Sequence, residues 1–318
     1  MTKLRYGIIA TGGIAEKFAR TAPLVEDIAL TAVASRSIEK AQAFAEKYGI
    51  EKAYGSYQEL FDDPDVDAVY IATPHNFHKE NCIDAANAGK HILCEKAMAL
   101  NVAEVKEMFA AAEKNNVFLM EAMWTRFIPT TVKAREWVEA GLIGDVRFMS
   151  VPFGNYRAYD PESRLFHPGL AGGATYDLGV YPIEFILDFT KGKEIEDIKS
   201  FVVNNPSGTD STMNAIIAFD DGAQAQLFCS FECATNHETY IYGTKGYIKM
   251  DTFQCPKMIE LYIDGELRDV YEISFDSGFE FEMQHTVDCI REGRITSPIM
   301  TPEDTLTSAE LFEKILGK

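Results

Sequence analysis

Short apolar runs alternate with amphipathic segments through the first 124 residues of the chain. The runs are almost uniformly apolar, as in strands buried on both faces of a parallel sheet. The segments between them have helical periodicity, with Ser37 and Asn101 at cap positions and Gly49 at a stop. This alternation predicts an α/β domain with a doubly wound parallel sheet of the Rossmann type. The predicted strands are residues 4–9, 29–34, 68–72, 91–94 and 117–121, and the predicted helices are residues 14–22, 38–48, 81–88 and 102–115.

The pattern changes after about Trp124. Eight strand-like runs lie between and after two helical segments, residues 130–140 and 174–189, and turn pairs such as Asp221-Gly222 separate several of them. Helical segments over residues 279–291 and 303–316 close the chain. We therefore predict a second, α+β domain with an open, mostly antiparallel sheet. The predicted domains are residues 1–124 and residues 125–318.

The composition narrows the class of protein. Of 318 residues, 30 are Lys or Arg and 49 are Asp or Glu, which gives a net charge of −19, and 47% are hydrophobic. The apolar content argues against disorder, and the acidic charge argues against nucleic-acid binding. No apolar run reaches the roughly 18 residues of a membrane span. Six scattered cysteines indicate a reduced, cytoplasmic protein, and Cys229 and Cys233 are predicted to face the core of one strand rather than to bind a metal.

A glycine-rich turn follows the first predicted strand. Gly12 and Ala15 match the second and third positions of the pattern GxGxxG/A, and Ala10 replaces the first glycine. The middle glycine lets a pyrophosphate approach the backbone at the start of a helix. The turn therefore indicates a dinucleotide site, although an ordinary strand–helix turn is the alternative.

The end of the second predicted strand carries Ser35 and Arg36, with no acidic residue before Glu39. An NAD site usually places a carboxylate here for the ribose hydroxyls, whereas a guanidinium and a hydroxyl suit a 2′-phosphate. We therefore predict that NADP(H) is preferred and that NAD(H) is possible. The alternative is a solvated surface arginine.

Two further clusters follow buried strands, where open α/β sheets bind ligands. The first contains Thr73, Pro74, Asn76 and His78, and the second is Glu95-Lys96. A lysine held beside a glutamate at a cofactor crevice could donate a proton or bind substrate hydroxyls.

Together these motifs resemble the glucose–fructose oxidoreductase/inositol dehydrogenase family (Gfo/Idh/MocA) over nearly the full length. The resemblance includes Gly144-Asp145-Val146 and Gly172-Gly173 leading to Asp177 and Tyr181. Residues 121–127 and Tyr181 resemble the branch of dimeric dihydrodiol dehydrogenases, also described as D-xylose dehydrogenases, which use NADP. The family's Glu-Lys-Pro motif has Ala97 in place of proline here, and Tyr181 replaces the histidine of many members.

The resemblance implies hydride transfer between a nicotinamide and a hydroxyl or carbonyl carbon of a sugar, polyol or diol. It implies three catalytic residues. Tyr181 would accept the hydroxyl proton, Lys96 would hold the oxygen and lower the phenol's pKa, and Asp177 would orient Lys96 or bind a substrate hydroxyl. Tyr181 as core packing and Asp177 as a helix-terminal acid are the alternatives.

The resemblance also implies a homo-oligomer, a dimer or tetramer, formed through the C-terminal sheet. A dinucleotide-binding regulator without catalysis is the alternative function, and the presence of Lys96, Asp177 and Tyr181 argues for the enzyme. The predicted cofactor site comprises Thr11, Gly12, Gly13, Ile14, Ser35, Arg36, Thr73, Pro74, Asn76, His78, Glu95, Lys96, Trp124 and Arg126. Packing at the predicted domain junction is the equally weighted alternative for Trp124 and Arg126. The predicted substrate site comprises Lys96, Trp124, Phe153, Tyr156, Asp177, Tyr181 and Phe279.

Overall fold

A computed structural model describes residues 2–317, and these residues divide into two units. The first unit contains residues 2–124 and 279–309, and the second contains residues 125–278 and 310–317. Each unit is built on its own sheet.

The first unit has a six-stranded parallel sheet with the strand order β3-β2-β1-β4-β5-β6. The order reverses between β1 and β4, and in open α/β sheets such a reversal creates a crevice at the carboxyl ends of the strands. The predicted Rossmann architecture is confirmed. The strands are β1 (Leu4–Ile9), β2 (Ile28–Ala34), β3 (Lys52–Tyr54), β4 (Ala68–Ile71), β5 (His91–Glu95) and β6 (Leu119–Ala122), and the helices among them are α1 (Gly13–Thr21), α2 (Ile38–Tyr48), α3 (Tyr57–Phe61), α4 (His78–Asn87) and α5 (Val102–Lys114).

Successive residues of these strands point to opposite faces of the sheet, and each face has its own core. On one face Ile71 belongs to the apolar cluster that includes residues of α4 and α5. On the other face the ring of Phe18, from α1, lies between Tyr6 and Tyr70, with centroid distances of 5.6 and 3.9 Å. The Tyr70 hydroxyl donates to Glu95 on this second face. The core of this second face therefore contains a polar pair, Tyr70 and Glu95, and Glu95 lies at the carboxyl end of its strand.

The elements β3 and α3 were not predicted. Each is short, and β3 is only half-buried, so neither has a strong periodic pattern. A capping box holds α3, in which Ser56 and Glu59 bind each other's backbone amides. A Cβ at Gly7 would lie 2.7 Å from Leu60 of α3, so the glycine in β1 allows this helix to pack closely.

The second unit has an eight-stranded sheet with the order β14-β13-β12-β11-β7-β10-β9-β8. Every neighbouring pair of these strands is antiparallel except β7 and β10. The predicted mostly antiparallel sheet is confirmed. The strands are β7 (Val146–Gly154), β8 (Ile195–Asn204), β9 (Asp210–Phe219), β10 (Gln224–Ser230), β11 (Thr239–Gly243), β12 (Gly246–Met250), β13 (Met258–Ile263) and β14 (Glu266–Glu272), and the helices are α6 (Pro129–Glu139) and α7 (Val180–Phe189).

The segment predicted as helical over residues 174–189 is helical, but its first part is a π-helical turn, Thr175–Gly179, which the sequence analysis did not predict. The turn is fixed from outside the helix. The carboxylate of Asp210 accepts the backbone N–H of Thr175 at 2.6 Å, and a Cβ at Gly179 would lie 3.1 Å from the sulfur of Cys229. These tertiary contacts override the helical periodicity of the segment.

The last part of the chain contains α8 (Phe279–Arg291) and α9 (Pro302–Leu316). Residues 279–309, which the sequence analysis assigned to the second domain, group with the first unit. The reason is visible in the contacts of α8, where Gln284 and Arg291 both bind Asp27 before β2. Among residues 2–317, no helix is long and apolar enough to cross a membrane.

The six cysteines are free thiols. Cys229 is buried in β10, as predicted, but Cys233 lies beyond the end of that strand and is exposed. The prediction that both face the core is therefore wrong for Cys233, because the strand ends at Ser230 and its alternation ends with it.

Candidate active site

The turn after β1 has the geometry of a phosphate cradle. Ala10 has φ 81°, a left-handed conformation that costs a residue with a Cβ about 1–2 kcal/mol. Gly12 has φ −80°, which any residue adopts, and a Cβ built there would meet no protein atom within 4 Å. Neither the backbone nor the packing of the described chain requires glycine at this position. A ligand that approaches the backbone closely does require it, and the first amides of α1 offer donors to its phosphates.

A cavity of about 520 Å³ lies beside this turn in the first unit. Its lining includes Thr11 and Gly12 from the turn, Ser35 and Arg36 from the end of β2, and Pro74 from the loop after β4. The structure therefore brings these predicted cofactor residues together.

The lining also includes residues that the sequence analysis missed, among them Lys40, Lys47 and Tyr57. Lys40 is exposed on the first turn of α2, four residues after Arg36, and that spacing was visible in the sequence. Lys47 pairs with Glu16 at 2.8 Å. The pKa of Tyr57 is raised by burial, and the nearby Arg36 opposes that rise. The cavity thus has basic groups despite the acidic charge of the whole chain.

The loop after β4 is held by hydrogen bonds of its own side chains. Thr73 is buried, and its hydroxyl oxygen accepts a hydrogen bond of 3.1 Å from the side-chain amide of Asn81. Pro74 precedes a short 3₁₀ turn, His75–Phe77, which contains the predicted residue Asn76.

His78 is fully buried and contacts the protein backbone. Its ring nitrogens lie 2.8 Å from the carbonyl oxygen of Thr73 and 3.1 Å from that of Ala97. Burial lowers the pKa of His78 to about 4, although both carbonyls favour the charged ring. The neutral ring donates one hydrogen bond and connects the loops after β4 and β5. This arrangement allows His78 to position both loops, and its predicted cofactor contact stays a prediction.

Lys96 directly follows β5 and is partly buried. The carboxylate of Glu95 accepts the Tyr70 hydroxyl and the backbone N–H of Lys96, the latter at 3.2 Å. Burial raises the pKa of Glu95, and the Tyr70 hydrogen bond and the Lys96 charge act against that rise. The Lys96–Ala97 peptide bond is cis. A buried carboxyl group is thus fixed beside Lys96 from within the sheet.

Trp124 and Phe279 pack against each other within the first unit, with ring centroids 5.1 Å apart. Both side chains are buried. The ammonium group of Lys17, on α1, lies 4.3 Å from the Trp124 ring and 3.9 Å from the Phe279 ring, a cation–π arrangement. The sequence analysis missed Lys17, because a single lysine on an amphipathic helix carries no distinguishing pattern.

In the second unit, Asp177 lies in the π-helical turn and Tyr181 lies in the first turn of α7. Asp177 accepts a hydrogen bond of 3.0 Å from Arg164, another residue that the sequence analysis missed. Tyr181 is 7% exposed, and its ring stands edge-on to Phe153 with centroids 5.5 Å apart. The structure therefore places Asp177 and Tyr181 on consecutive turns, next to a π-helical element of the kind that recurs at functional sites.

Phe153 and Tyr156, which the sequence analysis predicted as substrate contacts, differ in their exposure. Phe153 is 1% exposed, and its ring contacts His237 and Phe253 at centroid distances of 4.8 and 5.2 Å. Phe153 also supports the Tyr181 ring, and its predicted substrate contact stays a prediction. Tyr156 follows β7 and is 62% exposed, so its predicted substrate contact stays a prediction.

Arg126 was predicted to contact the cofactor, but its side chain is only 1% exposed. It binds the carboxylate of Glu184, on α7, at 2.6 Å and the backbone oxygen of the same residue at 3.1 Å. Glu184 is completely buried, so removing either partner would leave a charge stranded in the core. Arg126 thus lies in the core of the second unit, and its predicted cofactor contact stays a prediction.

Comparison with known proteins links both units to one family. Residues 4–123 match the model described as "Oxidoreductase family, NAD-binding Rossmann fold", and residues 131–249 match the GFO/IDH/MocA C-terminal domain. Trans-1,2-dihydrobenzene-1,2-diol dehydrogenases from Mus musculus and Xenopus laevis are each 34% identical, with 98% of this chain and 95% and 97% of theirs covered. The aldose–aldose oxidoreductase of Caulobacter crescentus has a similar structure, with a TM-score of 0.90, 27% identity, and coverage of 99% of this chain and 97% of that one.

Proposed function

Since the chain belongs to the GFO/IDH/MocA family and is an NAD(P)-dependent dehydrogenase, we propose that it transfers hydride between NADP and a hydroxyl-bearing carbon of a diol, polyol or sugar. The family and the enzyme class predicted from the motifs are confirmed. The substrate class is supported by the names of the relatives, a dehydrogenase of a dihydrobenzenediol and an oxidoreductase of aldoses.

The basic end of the cavity supports the preference for NADP. Arg36 and Lys40 line it and are exposed to solvent, so an anion can reach both charges. The nearest acidic residue in sequence, Glu39, accepts the hydroxyl of Ser37 at 2.6 Å at the start of α2. Two exposed cations suit a 2′-phosphate better than a ribose hydroxyl, and the Glu39 carboxylate, which could bind that hydroxyl, already accepts a hydrogen bond from Ser37.

The proposed chemistry divides the work among three side chains. The bound nicotinamide would supply the hydride acceptor or donor. We assign to the Tyr181 phenolate the uptake of the hydroxyl proton during oxidation, and to the resulting neutral phenol the return of that proton during reduction. Lys96 binds the reacting oxygen. Asp177, paired with Arg164, binds a further hydroxyl of the substrate.

Arg36→Ala is expected to weaken NADP binding about 10- to 100-fold, because it removes charge-assisted hydrogen bonds to the 2′-phosphate. NAD lacks that phosphate, so its affinity should change little. Fluorescence titration with NADPH and with NADH measures the affinity for each cofactor. Arg20→Ala, at the exposed end of α1, is the matched control. Unchanged NADPH affinity in the Arg36 variant would show that this cation does not select the cofactor.

A turnover screen tests the proposed function itself. Diols, aldoses and cyclitols with NADP⁺, and dicarbonyls with NADPH, are followed through the nicotinamide absorbance. Turnover of at least one class supports the enzyme. NADPH binding without turnover in any class would favour the regulator instead.

We also propose a homodimer in the cytoplasm, formed through the outer face of the eight-stranded sheet. That face exposes Phe201 by 79%, Val203 by 50%, Ile216 by 48% and Phe148 by 37%, which is unusual for a face left in water. The free thiols are compatible with a reducing compartment.

Phe148→Glu is expected to convert the dimer to a monomer, because a charge at a buried interface has no partner. Light scattering at several protein concentrations measures the molar mass of the particle in solution and so distinguishes a dimer from a monomer. Leu142→Glu is the control, since Leu142 is also 37% exposed but lies outside the sheet. Equal masses for both variants and the unmodified protein would contradict this interface.

A further inference from the structure

Glu16 is an acidic residue in the wall of the cavity beside the glycine turn. It lies one helical turn beyond Gly12, and its backbone N–H donates to the carbonyl of Gly12 at 3.0 Å. Its side chain is half-buried. A dinucleotide carries a negative pyrophosphate, and the first amides of α1 offer donors to that group. An unpaired carboxylate at this position would repel the ligand that the start of the helix attracts.

Lys47, in the last turn of α2, pairs with that carboxylate. Its ammonium group lies 2.8 Å from Oε1 of Glu16, and Lys47 lines the same cavity. The ammonium group also lies 5.1 Å from the centre of the Tyr48 ring, and Tyr48 packs on Phe44, which lines the cavity as well. The pKa of Glu16 is lowered, chiefly by its hydrogen bond to Lys47. The two helices thus present a charged pair with no net charge, instead of a free acid.

The other two cations of the cavity wall have different surroundings. Arg36 and Lys40 are exposed, and within residues 2–317 neither forms a salt bridge, so both charges are open to an anion. Lys47 is also exposed, but its charge is already engaged by Glu16. The cavity therefore has two cations that can bind a ligand directly and one whose effect depends on an acid beside it.

We propose that Lys47 is a positioning residue for the cofactor, which cancels the charge of Glu16 and so allows the cavity to accept the pyrophosphate of a dinucleotide. Lys47 acts through Glu16 and makes no contact with the ligand in this scheme. NADP and NAD share the pyrophosphate, so Lys47 supports both cofactors equally, whereas Arg36 acts on the 2′-phosphate alone. This role rests on the proposed function only for its ligand, a nicotinamide dinucleotide, and it does not require turnover.

Two variants break the same ion pair and have opposite expected effects. Lys47→Met leaves the carboxylate unpaired, so it is expected to weaken the binding of NADPH and of NADH alike, about 5- to 10-fold. Glu16→Gln removes the carboxylate, so it should bind both cofactors at least as tightly as the unmodified protein. Fluorescence titration of the full-length protein at low ionic strength measures these affinities. An equal loss in both variants would show that the pair only joins α1 to α2, and would overturn the proposal.

The double variant tests the route through Glu16. Glu16→Gln/Lys47→Met should bind both cofactors within about twofold of the unmodified protein, because the charge that Lys47 cancels is gone. A loss as large as that of Lys47→Met alone would mean that Lys47 binds the ligand itself, and would overturn the proposal. Lys47→Gln gives the same comparisons if the methionine variant does not fold.

Lys114→Met is the matched control, because Lys114 is an exposed lysine in the last turn of α5, as Lys47 is in α2. Its affinity for both cofactors should be unchanged. An unmodified protein that binds neither cofactor would contradict the proposed function and this role together. Normal binding that Lys47→Met leaves unchanged would overturn this role alone. Binding that changes as expected in a protein without turnover would refute the enzyme and support the role of Lys47.

Discussion

Lys96→Ala is expected to lower kcat about 10²- to 10⁴-fold, the range found when a group that moves or holds a proton at the reacting atoms is lost. The proposed site gives this lysine the reacting oxygen, and no neighbouring cation on β5 can replace it. NADPH affinity should change much less, because the cavity beside Gly12 and Arg36 is untouched. Stopped-flow absorbance at saturating cofactor measures the chemical step.

The control for this variant is Lys114→Ala, which removes an exposed lysine from the same unit. Its turnover should match that of the unmodified protein. Thermal unfolding of both variants checks that the fold is intact. Turnover of Lys96→Ala within a few-fold of the unmodified protein would remove Lys96 from the catalytic site.

Tyr181→Phe is expected to reduce turnover about 10²-fold or more, because it removes the phenolic proton acceptor and leaves the ring in place. The edge-on contact with Phe153 should survive, since it needs no hydroxyl. The pH dependence of kcat separates chemistry from packing. A lost acid–base group removes one limb of the profile, whereas a packing defect lowers the rate equally at every pH.

Tyr176→Phe serves as the matched control for Tyr181→Phe. Tyr176 lies in the π-helical turn just before α7 and packs its ring on Phe312, with centroids 5.1 Å apart. Losing this hydroxyl should leave the pH profile unchanged. If both variants behave alike, Tyr181 contributes packing, the alternative already evident from its sequence context.

The sequence predicted the features that depend on local pattern. Apolar runs and cap residues predicted the parallel sheet, and the turn at Gly12 with Arg36 predicted the residues that line the cavity. Lys40 was within reach of the same reasoning, since it lies in the first turn of the helix that begins two residues after Arg36. These signals lie within a few residues of each other in the chain.

Features that depend on distant partners were not predictable. The sequence left Arg126 open between cofactor contact and packing, and only the fold reveals Glu184 beside it. The π-helical turn depends on Asp210, 35 residues beyond Thr175 in the sequence. The grouping of α8 with the first unit, which brings Phe279 to Lys17, is also invisible to periodicity. Each is set by tertiary contacts between residues far apart in the chain.

The central claim is that this chain oxidises a hydroxyl-bearing carbon with NADP⁺. The most direct measurement is the initial rate of NADPH formation with a trans-dihydrodiol or an aldose, compared with NAD⁺ at equal concentration. The account predicts measurable turnover with NADP⁺, a higher kcat/KM for NADP⁺ than for NAD⁺, and loss of that turnover in Lys96→Ala. Turnover that is absent with both cofactors, or that survives in Lys96→Ala, would contradict it.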